Sequence, residues 1–189
     1  MSLEQRRNLL VGMLNDADED VRLAAASALE VLESCQELDQ ILESLRSDRR
    51  GERVKAIFAM GKVISPDVFP HLINLLKDPD PDIRSVAVQI LGIKAHPKSL
   101  NNLVRHLKDP APAVRVHTAV ALGHFMDARL VPYLSAVLKD QDEQLVVAAV
   151  NSLAAINMPE AVAPLLPLCK DERAVVRKAA AEALGKLPL

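Results

Sequence analysis

The sequence predicts an all-α fold, a right-handed α-solenoid of six two-helix repeats, and three observations carry that prediction. A 31-residue repeat runs through the chain without insertion. Each repeat holds two stretches of helically spaced apolar residues separated by a breaker run. The composition is aliphatic, half hydrophobic yet only 2% aromatic and without Trp, which suits closely packed helices better than a β-sandwich.

The register is read column by column. Stepping by 31 from Arg22 lands on Arg53, Arg84, Arg115, Val146 and Arg177. A second column holds Leu14, Leu45, Leu76, Leu107, Leu138 and Cys169, and a third Asp16, Ser47, Asp78, Asp109, Asp140 and Asp171. A fourth reads Glu30, Gly61, Gly92, Gly123, Ala154 and Gly185. The chain 1–189 is thus expected to be one domain of units near 3–33, 34–64, 65–95, 96–126, 127–157 and 158–189.

Within the third unit, Leu72, Leu75 and Leu76 are followed by Asp78-Pro79-Asp80-Pro81, then by Ile83, Ala87, Ile90 and Leu91. That order predicts a helix, a turn and a second helix. Asp18, Asp80 and Asp142 stand where a carboxylate can accept the orphan N–H groups of the second helix, and Pro81 and Pro112 suit its first position. Pro66, Pro97 and Pro159 share the column that separates repeats.

Residues Leu72 to Arg84 and Ala87 to Gly92, echoed by Leu103 to Gly123 and Leu165 to Gly185, resemble the short HEAT-like repeats of the phycobilin-lyase type. The resemblance covers all six units and implies a superhelix with the second helices on its concave side. It implies little about activity, because such folds serve scaffolds, lyase subunits, hydroxylases and DNA-repair enzymes. Two departures predict local irregularity: Glu52 stands where the other repeats have Val21, Ile83, Val114, Leu145 and Val176, and Val146 replaces the column Arg.

Composition narrows the function classes. A formal charge of −2 from 23 basic and 25 acidic residues gives no global attraction for nucleic acid or anionic membrane. Cys35 and Cys169 form no CxxC pair, and a reducing, cytoplasmic setting is expected. The apolar run Leu9 to Leu14 is too short for a signal-peptide core. The uncharged stretch Gln144 to Met158 falls short of the ~20 residues that a membrane span needs, so no membrane insertion is expected.

The catalytic inventory reads as empty, with no metal and no cofactor. None of His71, His96, His106, His117 and His124 is followed by Glu, so the His-Glu iron ligands of deoxyhypusine hydroxylase, a HEAT-like enzyme, have no counterpart. His117 and His124 share a helix face but lie seven residues apart, about 10.5 Å along the axis, too far to share one ion at ~2.1 Å. The lack of Trp removes the aromatic platform a HEAT-like glycosylase would need. Cys169, in a Leu column, reads as a small core hydrophobe.

Two charged sets remain. Arg22, Arg53, Arg84, Arg115 and Arg177, with Asp16, Asp78, Asp109 and Asp171, read as a structural ladder in which each Arg pairs with the Asp six residues before it, except Arg53, which has Ser47 there. Arg46, Arg49 and Arg50 are a candidate anion site in the turn of repeat two, with a solvated turn as the plainer reading.

The second helices carry the candidate binding surface. On a helical wheel the face opposite the core holds Leu23 in repeat one, Val54 and Phe58 in repeat two, and Val86 and Gln89 in repeat three. It continues through Val116, His117, Val120 and His124 in repeat four to Val147 and Asn151 in repeat five. An apolar stripe where water alone would favour charge points to a groove for a partner peptide or helix, the partner's identity being open. Contact between neighbouring repeats is the bland reading of the same valines. The expected function is therefore a non-catalytic protein-binding scaffold. The alternatives are a lyase-like subunit holding a tetrapyrrole and binding of nucleic acid or an acidic partner through the arginine-rich turn.

Overall fold

The protein is described by a computed structural model over residues 1–188, with residues 34 and 35 described by backbone alone. Among the described residues there are eleven α-helices and no strand: α1 (Leu3–Met13), α2 (Glu19–Ser44), α3 (Arg50–Lys62), α4 (Val68–Leu75), α5 (Pro81–Lys94), α6 (Leu100–Arg105), α7 (Pro112–Gly123), α8 (Val131–Ala136), α9 (Glu143–Ile156), α10 (Val162–Leu165) and α11 (Ala174–Leu184). The fold is an α-solenoid. The chain divides into two compact units, Met1–Val68 and Phe69–Leu189.

The second unit follows the predicted plan. Second helices α5, α7, α9 and α11 pack side by side in sequence order. Asp80 and Asp142 cap α5 and α9 by accepting the N–H of Asp82 and Gln144 at 2.9 and 3.0 Å. Pro81 and Pro112 occupy the first turns of α5 and α7, where their missing N–H removes no hydrogen bond. The first helices are shorter than the periodicity predicts. α6 spans six residues between the 3-10 turns Pro97–Ser99 and His106–Lys108, and α10 spans four before the 3-10 run Leu166–Lys170.

Leu72, Ile83, Leu91, Leu103, Leu122, Leu134, Leu145, Leu153 and Leu165 are fully buried, each contributing about 1.5–3 kcal/mol through removal from water. Small residues set the distance between second helices. A Cβ placed on Gly92 would stand 2.5 Å from the Ala121 Cβ, and one on Gly123 would stand 2.8 Å from the Ser152 Oγ. The repeated glycine is therefore required by close helix approach. The linkers between repeats turn through left-handed backbone at Ala95, Met126 and Asn157, with φ of 43°, 49° and 54°. Only Asn157 is a residue type that favours that conformation.

The first unit departs from the plan. α2 runs without interruption through the expected boundary between residues 33 and 34, so it supplies the second helix of repeat one and the first helix of repeat two. The sequence explains the continuity: the breaker column that holds Pro66, Pro97 and Pro159 has Cys35 here, and the glycine column has Glu30. α1 packs on α2, and α2 on α3. Ser2 and Gln5 close a reciprocal capping box on α1, yet no residue of α1 is buried.

Candidate functional site

The arginine column is structural, but its pairing differs from the expected one. Arg22 and Arg177 donate to the backbone carbonyls of Asp16 and Asp171, at 2.8 and 2.7 Å, and not to their carboxylates. Those carboxylates are engaged locally, accepting the N–H groups of Asp18 and Arg173 at 2.9 Å. Arg84 likewise donates through Nη1 to the Asp78 carbonyl, but its Nε and Nη2 reach the carboxylate of Asp109 in the next repeat, at 2.9 and 2.8 Å. The guanidinium of Arg84 is raised above its ordinary value by the hydrogen bonds to Asp109. Burial alone would raise the Asp109 carboxyl, but hydrogen bonds from Arg84 and the Ala111 N–H hold it below the usual carboxylate range.

Arg115 does not copy the arrangement. Its Nη1 bonds the Asp109 carbonyl at 3.1 Å, Nη2 lies 3.5 Å from Asp142, and Nε is buried without a hydrogen-bond partner. The equivalent acceptor, Asp140, differs from Asp109 in its neighbour: its carboxylate takes the Asp142 N–H at 2.8 Å, as Asp109 takes that of Ala111, while its carbonyl takes Arg173 Nη1 at 3.0 Å. The Asp171 carboxylate pairs with Arg173, which lowers its pKa to about 2.

In the second unit the wheel face resolves into buried and exposed parts. Val86 and Ser85 are buried, Ser85 with its hydroxyl against His117 of the next repeat. Gln89, Val116, His117 and Val147 are half-buried, while Val120, His124 and Asn151 are exposed. Val120 is 45% exposed. In the first unit, Val54 is half-buried, and Phe58 and Leu23 are 47% and 60% exposed.

Among the described residues of this face, His117 is tied by its side chain to a neighbouring repeat, and sequence reading missed the tie because it joins side chains 32 residues apart. Its Nδ1 meets the Ser85 hydroxyl and lies 3.4 Å from Gln89 Nε2. With the Gln89 amide nitrogen donating, Nδ1 is assigned as acceptor and the ring hydrogen to Nε2. Nε2 has no hydrogen-bond partner among the described residues. Burial lowers the pKa of His117, which keeps the ring neutral.

The other histidines are dispersed. His71 and His124 are exposed, His96 stacks on Phe69 with centroids 4.2 Å apart, and His106 lies between the carbonyls of Asn102 and Leu76. Among the described residues no three His, Cys, Asp or Glu side chains gather as a metal site, and no helix is long and apolar enough to cross a membrane. Cys169 is exposed, contrary to its Leu column, because the 3-10 winding of Leu166–Lys170 brings Leu168 to the buried place. In the arginine-rich turn, Arg46 pairs with Glu43 and Arg49 with Glu52, each at 3.0 Å.

Known proteins place this geometry. No curated protein matches the sequence. The chain is similar to a chain in the complex of CpcE and CpcF of phycocyanin lyase from Nostoc sp. PCC7120, with 24% identity and a TM-score of 0.68 over 79% of this chain. It spans 64% of that chain's length. A designed armadillo repeat protein in complex with the peptide (KR)4 is similar over all of both chains, with 18% identity and a TM-score of 0.62. Kap95p, in a structure of its binding to RanGDP, is similar over 98% of this chain and 28% of its own, with 17% identity and a TM-score of 0.61. At these identities the likeness shows the fold alone. The family described as HEAT repeats matches residues 38–119, 69–149 and 131–188, and the description HEAT repeat matches 7–35. With its 31-residue register, its helix pairs and these matches across most of its length, the chain belongs to the HEAT repeat family.

Proposed function

We propose that the protein is a non-catalytic scaffold that binds an extended peptide or helix along the free face of its second helices, with α5, α7 and α9 as the main surface. The observation that carries this reading is the pairing of an exposed apolar side chain, Val120, with an immobilised donor, His117 Nε2–H, on one packed helix. An apolar contact beside a fixed donor suits a chain that offers a side chain and a backbone carbonyl together. Packing of α7 between α5 and α9 keeps the site pre-formed, so little ordering cost opposes binding. Peptide and protein binding by repeat proteins of similar fold, the designed armadillo protein with (KR)4 and Kap95p with RanGDP, supports the class of partner.

The polar members Gln89, His124 and Asn151 flank the apolar centre and would set register. Phe58 is a separate anchor on the first unit, where an exposed aromatic side chain favours protein contact. The test is capture of partners from source lysate by wild type and by Val120→Asp, followed by measured affinity for the partner recovered. Loss of at least tenfold in affinity with unchanged helical circular dichroism supports the reading, and unchanged affinity removes it.

A second reading rests on the likeness to the phycocyanin lyase complex: a lyase-like subunit that holds a tetrapyrrole on the same face, with His117 and His124 beside it. Mixing the protein with a bilin and recording the visible spectrum separates the two. A shifted, intensified band favours the lyase-like reading, and an unchanged spectrum favours the scaffold.

A further inference from the structure

The arginine column has a gap at Val146, and the turn of the following repeat fills it. Arg22, Arg84, Arg115 and Arg177 each donate Nη1 to the carbonyl of the Asp six residues earlier, namely Asp16, Asp78, Asp109 and Asp171. In repeat five the equivalent carbonyl is that of Asp140, which a valine cannot serve. Arg173 Nη1 reaches it instead from repeat six, at 3.0 Å.

Arg173 makes the rest of the missing bond set too. The carboxylate that Arg84 grips across its junction is that of Asp109, 25 residues on, and the equivalent for position 146 is Asp171. Arg173 holds the Asp171 carboxylate through Nε and Nη2 at 2.9 and 3.0 Å. Its own column carries Asp18, Asp80 and Asp142, which cap second helices, so an arginine here leaves α11 without a side-chain cap. Val146 and Arg173 are thus one exchange: the same acceptors are served from the opposite side of the junction.

The reversal changes what separation of the two repeats breaks. Parting repeat three from repeat four pulls Arg84 from Asp109, a pair largely removed from water. Parting repeat five from repeat six leaves Arg173 and Asp171 together in one turn, and of the Arg173 hydrogen bonds only the one to Asp140 is lost. The helices are also less closely seated there. Gly92 and Gly123 admit Ala121 and Ser152 at distances that no Cβ allows, whereas the same column has Ala154 opposite α11. Its methyl holds α11 farther from α9.

We propose that the junction between repeats five and six is the opening point of the second unit: α10 and α11 part from α9 as one piece that keeps its own ion pair, while α5, α7 and α9 stay packed. A stack held by nearest-neighbour interfaces opens first where an interface separates least. Val146, Ala154 and Arg173 all depart from their columns in that sense.

Native-state hydrogen exchange of the full chain, read helix by helix by mass spectrometry, tests this. The double variant Val146→Arg, Arg173→Asp rebuilds the rung from the repeat-five side, so that opening again separates an ion pair. Protection of α11 should rise at least tenfold over wild type, with that of α5 and α7 unchanged. Unchanged or lowered protection of α11 in a variant with wild-type circular dichroism overturns the proposal. Should the double variant not fold, Arg173→Ala stands in. The expected result is at least a tenfold loss of protection in α11 with α5 and α7 unaffected, and no loss, or an equal loss in all three helices, overturns it.

Discussion

Arg84 holds two repeats with one guanidinium: Nη1 bonds the Asp78 carbonyl of its own turn at 2.8 Å, while Nε and Nη2 grip the carboxylate of Asp109 in the next repeat. The pair is largely removed from water, with side chains 13% and 5% exposed. Arg84→Ala therefore strands a carboxylate as well as a carbonyl. The expected loss is about 2–4 kcal/mol, somewhat below a fully buried pair, against less than about 0.5 kcal/mol for the exposed Lys77→Ala. Urea denaturation of both variants checks this, and equal midpoints would show that the ladder does not hold the repeats.

The same pair gives acid sensitivity. The Asp109 carboxyl is held below its unfolded value, so its contribution is complete above that value, near pH 4, and is lost as pH falls through the folded pKa. Asp109→Asn removes this contribution. Its denaturation midpoint should fall less steeply than that of wild type from pH 5 to pH 2, and parallel curves would contradict the assignment.

His117 titrates with the opposite preference from a paired histidine. Its folded pKa is lowered by burial, so the neutral form is favoured in the fold and stability declines as pH drops below the unfolded value of about 6.5. Protonation would place a hydrogen on Nδ1 against the Gln89 amide. His117→Gln should lose part of the slope in midpoint between pH 7 and pH 5, and an unchanged slope would show that His117 is not the group responsible.

Close stacking makes Gly92 a sensitive position. Gly92→Ala brings a methyl to 2.5 Å from the Ala121 Cβ, and overpacking of this kind costs about 1–3 kcal/mol. Ala121→Gly should recover much of the loss in the double variant because it removes the colliding atom. Additive effects in the double-mutant cycle would refute the contact.

Met126 adopts a left-handed backbone that its column companion Asn157 tolerates better. Met126→Asn should raise stability by about 0.5–1 kcal/mol, measured by thermal unfolding. A lower melting temperature would mean that the exposed Met126 side chain contributes a contact outweighing its backbone strain.

Much of this fold was legible because a repeat writes each packing rule several times. The Asp caps, the proline positions and the aliphatic core of the second unit follow from columns read 31 residues apart. The continuous α2 was also written there, in Glu30 and in the missing proline at Cys35, but it became readable only once Gly92 and Gly123 showed why the glycine is needed. The partners of the arginines and of His117 were not legible. Arg84 with Asp109, and His117 with Ser85, join residues 25 and 32 apart, and such pairings depend on the offset between stacked helices. Val86 reads as surface on an isolated wheel, yet it is buried in the fold.

The central claim is that the free face of α5, α7 and α9 binds a partner chain, and isothermal titration of the partner recovered by capture tests it most directly. The account predicts that Val120→Asp and His117→Ala each reduce affinity, the former by about 2 kcal/mol as expected for a central apolar anchor. Substitutions at Asn74 and Arg105, on the first helices, should leave it unchanged. Binding abolished by the Asn74 and Arg105 substitutions, and unaffected by those at Val120 and His117, would contradict the account and move the working surface to the first helices.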